Sequence, residues 1–194
     1  MEQSFRGNTL QDIPLPERLY AGGAQSHRGF AINQAGPRDD QTGYPIGGAG
    51  AFVNSLELRL PNPTLPYVGN NLGFVLFHDM GNVFNSVSDI GPSFLRFHQP
   101  NVAACKDTSV PPPPSDNLSS GNCSFNYFSH AVGVGLRYHT PIGPVRVDFS
   151  LNLDPPYYPV FVQYYASSSV PITSPPYHTN SGYFNFFFSI GQSF

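Results

Sequence analysis

Three residues in this chain have types and spacing that suggest chemistry. Arg28 sits in Ser26-His27-Arg28-Gly29-Phe30, inside a glycine-rich loop. Glu57 follows in Asn54-Ser55-Leu56-Glu57-Leu58, and Asp79 in Phe77-His78-Asp79-Met80-Gly81. A guanidinium is always charged, and its planar fork matches carboxylate oxygens in pairs. The chemistry on offer is electrostatic clamping. Proton transfer is disfavoured, because an arginine that holds both acids ionised is the opposite of what a general acid needs. Gly29 is expected to let the backbone turn tightly beside Arg28, and Phe30 to pack under the loop. Both acids fall at the inward phase of strands whose other face is apolar. These features predict a loop tucked into a β-barrel and latched to its inner wall.

No Ser/His/Asp set converges on an enclosed cleft, so no catalytic residue and no cofactor is assigned. The six histidines show no i, i+4 pair. His27, His78 and His139 fall where loop or interface residues would serve, so no metal is assigned. Cys105 and Cys123 are too few and too widely spaced for a structural zinc site. The net charge is -3 and Lys106 is the sole lysine, which excludes a basic nucleic-acid surface.

The elements that must carry these residues are strands. Charged residues make up only 11% of the 194, against about a quarter in ordinary soluble domains, while aromatics reach 14% without any Trp. A mean hydropathy of -0.21 looks soluble, but barrel strands alternate lipid-facing and lumen-facing residues and average out to neutral. No run approaches the roughly 18–20 apolar residues of a membrane helix. Met1-Glu2-Gln3-Ser4 lacks the basic and apolar regions of a secretory signal, so the exported reading implies a true N-terminus further upstream.

Residues 1–48 show no sustained period and are predicted as loop, with a strand end near Leu19-Tyr20. Strands are predicted near 49–60, 71–84, 129–139, 144–153 and 183–194 from alternating apolar residues. In the last of them Phe184, Phe186, Phe188 and Ile190 face out, and the chain closes on Phe194. Long loops are predicted at 85–128 and 154–182, with Val160–Tyr165 as a strand extension. Helical periodicity is absent from the pattern. Thr140-Pro141-Ile142-Gly143 is predicted as a compact type I turn. Connections thus alternate short and long, as in an outer-membrane barrel, and strands of about ten residues suit a tilted bilayer crossing.

Several ordered stretches carry a resemblance. They are Pro16-Glu17-Arg18-Leu19-Tyr20-Ala21-Gly22-Gly23, His27-Arg28-Gly29-Phe30, Gly36-Pro37-Arg38-Asp39, Leu56-Glu57-Leu58 and His78-Asp79-Met80-Gly81-Asn82-Val83-Phe84. Gly133-Val134-Gly135-Leu136-Arg137-Tyr138, Thr140-Pro141-Ile142-Gly143-Pro144 and Ser189-Ile190-Gly191-Gln192-Ser193-Phe194 complete the series. The series resembles the C-terminal barrel portion of bacterial surface antigens of the outer-membrane assembly-factor family, the BamA and TamA type.

The resemblance implies that 1–194 is a partial barrel domain in the bacterial outer membrane, about the last five strands of roughly sixteen. Residues 1–48 would then be the external loop that folds into the lumen, with Arg28, Gly29 and Phe30 latched to Glu57 and Asp79. Phe184, Phe186, Phe188, Ile190 and Phe194 would belong to the strand at the lateral seam. Lumen-facing Arg137 and Arg146 are expected to tolerate alanine better than Arg28, having no comparable paired carboxylates in the pattern. The implied partners are the outer-membrane lipid bilayer, client β-barrel proteins, and accessory lipoproteins or periplasmic chaperones. Placement in one loop of an exported protein favours a Cys105–Cys123 disulfide.

Two roles remain open within the resemblance. One is an insertase that folds and inserts β-barrel clients; the other is a two-partner secretion transporter pore. A longer POTRA array would mark the first, a plug helix and a short array the second. A third reading is a soluble β-sandwich domain that buries its phenylalanine faces between two sheets.

Overall fold

Strict alternation of exposed apolar and buried or polar residues gives this chain its architecture. The computed structural model describes residues 10, 13–39, 43–61, 71–105, 123–141, 143–160, 163–165, 171–173, 177–180 and 182–191. The main sheet has five antiparallel strands: β1 (Gly50–Leu60), β2 (Leu72–Phe84), β3 (Ser129–Thr140), β4 (Gly143–Asn152) and β9 (Phe184–Ile190). Their order is β1-β2-β3-β4-β9. Phe194, Ile142, the Pro111–Pro114 run and the first nine residues lie outside the described residues.

The outer face carries Leu56, Leu58, Leu76, Val134, Leu151, Phe184, Phe186, Phe188 and Ile190, all between 43% and 68% exposed. Among the described residues no second sheet covers it. The β-sandwich reading fails on this point, because that fold must bury such a face. A sheet with bare leucine and phenylalanine rows has hydrocarbon as its natural solvent.

The inner face is built of cross-strand rows. Ser55, Asp79, Ala131 and Asn152 are register partners in turn from β1 to β4. The next row runs Glu57, Phe77, Gly133, Ser150 and Asn185, from β1 to β9. The row after it runs Arg59, Val75, Gly135, Asp148 and Phe187. Along these three rows β3 presents Ala131, Gly133 and Gly135 inward, a shallow trough in the wall between Ser129 and Arg137. A Cβ on Gly133 would lie 2.2 Å from both the Phe77 ring and the Phe149 carbonyl oxygen.

Residues 13–39 and 43–49 cover this trough. Their apolar core is Ala21, Phe30 and Ala35, packed on Val83 of β2 and on Ala51 of β1. Gly36, at φ 91°, lies where a Cβ would come within 2.5 Å of Val83 Cβ, so only glycine permits the approach. A one-turn 3-10 helix at Leu15–Glu17 and a bridge between Leu19 and Gly48 tie the ends of the loop together.

The long connections hold short elements of their own, among them strand at Val160 and Gln163–Tyr165 within the expected extension. The segment after β2 holds single helical turns at Val87–Asp89, Ile90–Ser93 and Val102–Cys105. Runs this short leave no 3.6-residue periodicity to read. The 154–182 loop holds two nested antiparallel pairs, β5 (Tyr157–Val160) with β8 (Tyr177–Asn180) and β6 (Gln163–Tyr165) with β7 (Pro171–Thr173).

Cys105 and Cys123 are joined by a disulfide, both buried beside Phe125, with Tyr157 and Tyr158 packed against the cluster. Their 18-residue separation sets the size of the closed loop. Closing a loop of that size stabilises the fold by about 3 kcal/mol through the unfolded state. Maleimide labelling of non-reduced protein should therefore leave both thiols unmodified, and Cys105→Ser should lower thermal stability. Full labelling without reductant would contradict the bond.

Candidate functional site

Arg28 reaches the wall because its loop lies flat in the β3 trough. A Cβ on Gly29 would sit 2.8 Å from Ala131 Cβ and 2.8 Å from His27 Cε1. Gly29 is not among the residues with positive φ. The expected tight turn is present, closed by Phe30 N–H donating to the His27 carbonyl at 3.2 Å, but it needs no left-handed backbone: glycine is required here for close approach of backbone to wall. Phe30 is fully buried in the loop core, with its ring 5.0 Å from His27 in an edge-on arrangement.

The Arg28 side chain is only 2% exposed, and every guanidinium nitrogen has an acceptor. Nε donates to Asp79 Oδ2 at 2.7 Å, and Nη2 to Asp79 Oδ1 at 2.7 Å, a two-pronged pairing. The Arg28 backbone N–H adds a third bond to Asp79 Oδ2 at 2.9 Å. Nη1 donates to Glu57 Oε1 at 2.7 Å, and Nη2 to Ser55 Oγ at 2.8 Å. Ser55 passes its own hydroxyl proton toward Asp79 Oδ1 at 2.6 Å. Phe77 lies under the guanidinium, 3.5 Å from ring centroid to Cζ, contributing a cation–π contact on the dry side.

The cluster is wider than the three residues read from the sequence. Asp148, fully buried on β4, lies 3.8 Å from Arg28 Nη1 and accepts bonds from Arg137 Nη1 and Arg146 Nε. Arg137 also stands 3.7 Å from Glu57. Arg146 Nη2 donates to the Ala24 carbonyl at 3.0 Å, so it holds the loop directly. Three guanidinium groups are interleaved with three carboxylates across four strands and the loop. The expectation that Arg137 and Arg146 lack a paired carboxylate is therefore wrong. Asp148 serves both: its pairing with Arg146 is local, two residues along the same face of β4, while its pairing with Arg137 depends on register between β3 and β4.

Neutral donors complete the grip. Gly29 O accepts from Asn152 Nδ2 and from Asn185 Nδ2, each at 2.9 Å. His27 Nε2 donates to the Ser129 carbonyl at 3.0 Å, and Gly29 N–H donates to His27 Nδ1 at 3.1 Å. These two contacts select the neutral Nε2–H tautomer and leave no place for a second proton. Burial lowers the His27 pKa below its ordinary 6.5.

The sign of the resulting pH dependence follows from linkage. A depressed folded-state pKa means the unfolded loop binds more protons, so stability is full above about 6.5 and is lost as pH falls through the folded value. Protease protection of residues 20–35 should fall on acidification below that point. His27→Gln, whose amide can reach the Ser129 carbonyl without titrating, should flatten the response. Equal pH profiles for the two proteins would contradict the assignment.

Arg38 ties the loop to itself and to the second long connection. Its guanidinium bonds the Gln34 and Gly43 carbonyls and lies over Tyr158 at 4.0 Å. Elsewhere, His78 Nε2 meets His130 Nδ1 at 3.0 Å on the outer face, with Phe97 edge-on to His130. Among the described residues, no group of three or more His, Cys, Asp or Glu could hold a metal ion.

The comparisons place this geometry in a family. Residues 3–194 match the Omp85 superfamily domain, and the chain belongs to that superfamily, whose members are bacterial outer-membrane proteins. The chain is 38% identical over 148 residues to the outer membrane protein assembly factor BamA of Nitratidesulfovibrio vulgaris. That match takes in 76% of this chain and spans 14% of the relative's length. A solved structure of BamA from Haemophilus ducreyi lacking POTRA domains 1-3 aligns with 90% of this chain and 28% of its own, at 21% identity and a TM-score of 0.48.

Proposed function

We propose that this chain is the closing portion of a barrel that folds and inserts client β-barrel proteins into the outer membrane, offering β9 as the edge that incoming strands meet. The observation that carries the reading is β9 itself. It pairs with β4 alone among the described residues, and its outward row is entirely Phe184, Phe186, Phe188 and Ile190. An unpaired strand edge is a template for strand addition, with backbone hydrogen bonds giving affinity and alternate side chains giving selectivity. Similarity to BamA supports the insertase over the secretion pore.

In this reading the Arg28 cluster is the latch that keeps residues 13–39 and 43–49 in the lumen. The work is mechanical and electrostatic, needing neither cofactor nor covalent chemistry.

Photo-cross-linking tests the proposal. A photoreactive residue replacing Ser189 in the full-length protein should trap client barrel precursors through their terminal strands during assembly. A trapped non-barrel secretion substrate would instead support the transporter. Normal client assembly with no adduct at any β9 position would overturn the edge-strand role.

A further inference from the structure

We propose that Asn185 is a positioning residue that couples the lumen loop to the seam strand, so that release of the Arg28 latch loosens β9. The inference rests on the edge-strand reading above for its functional meaning, but its geometry stands alone. Gly29 O is gripped by two amide groups from different strands, Asn152 on β4 and Asn185 on β9. Gly29 directly follows Arg28, whose guanidinium and backbone N–H are both fixed to Asp79 on β2. A continuous chain of short polar contacts thus runs from β2, through two loop residues, to β9.

The two asparagines are not equivalent. Asn152 is fully buried, and its Oδ1 accepts from Ser129 Oγ and from the Asp154 N–H, so it also organises the top of β3 and β4. Asn185 is only half-buried and spends its amide on the loop carbonyl. Of its inward neighbours on β9, Ser189 has a buried hydroxyl with no hydrogen-bond partner among the described residues, and Phe187 is apolar. Among the described residues the register with β4 spans seven pairs, Val145–Leu151 against Phe184–Ile190, with one further backbone bond at each end, Asn152 N–H to Tyr183 O and Gly191 N–H to Pro144 O. A short edge ladder opens readily unless something outside it holds the strand. The loop carbonyl supplies that hold from the lumen side.

Hydrogen exchange of full-length protein in outer-membrane vesicles reads the coupling. Asn185→Leu should speed exchange of residues 184–190 by about tenfold, as loss of one partly buried hydrogen bond implies. Residues 26–30 should stay protected, held by Asp79, Glu57 and Asn152. Asn185→Asp should behave like Asn185→Leu at neutral pH, where a carboxylate faces the Gly29 oxygen. With both proteins carrying His27→Gln, so that loop docking does not itself titrate, it should return toward the Asn185 rate at matched pH once the introduced acid is protonated and can donate again. A merely structural role for Asn185 would not give that recovery. Arg28→Ala should free residues 26–30 and speed 184–190 in the native background, yet add nothing in an Asn185→Leu background.

An Arg28→Ala protein with a freed loop and native exchange in 184–190 would overturn the proposal. So would native exchange in Asn185→Leu. If 184–190 respond as stated while client insertion stays normal, the coupling stands and the edge-strand function falls.

Discussion

Arg28→Ala is expected to cost about 3–5 kcal/mol of loop docking, enough to leave residues 20–35 open to protease in the assembled barrel. The magnitude follows from dryness. Arg28 is 2% exposed, Asp79 and Asp148 not at all, and Glu57 only 26%. Removing the guanidinium leaves acids that water cannot readily solvate, and that penalty exceeds the net worth of the intact pair. Arg28→Lys restores the charge but cannot match Asp79 Oδ1 and Oδ2 together while also reaching Glu57 and Ser55. Recovery should therefore be partial. Susceptibility of the loop to added protease, compared across the native protein and both variants, checks the order native, lysine, alanine. A protected alanine variant would contradict it.

Asp148→Ala should have an effect of similar size, about 3–5 kcal/mol. Asp148 is the acid shared by Arg137 and Arg146, and it lies near Arg28 as well. Without it, two guanidinium groups some 10–12% exposed face each other across the β3–β4 register, where Arg137 and Arg146 are direct partners. Arg137→Ala and Arg146→Ala should each cost less, about 1.5–3 kcal/mol, because Asp148 keeps one partner. Unfolding of the purified full-length barrel in urea would measure all three. An Asp148→Ala midpoint equal to native would show that the wall holds Arg137 and Arg146 by other means.

The strands were legible because each one is wetted differently on its two sides. Leu56 and Leu58 against Ser55 and Glu57, or Phe186 and Phe188 against Asn185, give a period of two that survives any doubt about partners. Glu57 and Asp79 could be set on one face because β1 and β2 are consecutive, and their true register, Ser55 opposite Asp79, leaves Glu57 one diagonal step away. Relations across more than one strand were not legible. Arg137 meets Asp148 through the offset of β3 against β4, and Asn185 meets the loop through β4 against β9; neither relation leaves a local signal, whereas Arg146 and Asp148 share one face of β4 two residues apart. The turn at Gly29 was readable, but the steric cause that demands glycine there was not. It lies in Ala131, about a hundred residues away in sequence. Arg38 also escaped notice, since backbone carbonyls rather than acids surround it. The pattern of an arginine flanked by carboxylates could not find an arginine held without any.

The central claim is that Arg28 holds the loop through Asp79, and a double-mutant cycle tests it most directly. Loop protection should be measured in Arg28→Ala, Asp79→Asn and the combined variant of the full-length protein in outer-membrane vesicles. If the two side chains act as one unit, the double variant should lose little more protection than the worse single variant, giving a coupling of about 2 kcal/mol or more. Strictly additive losses would mean that Arg28 and Asp79 act independently, and the latch would have to be abandoned.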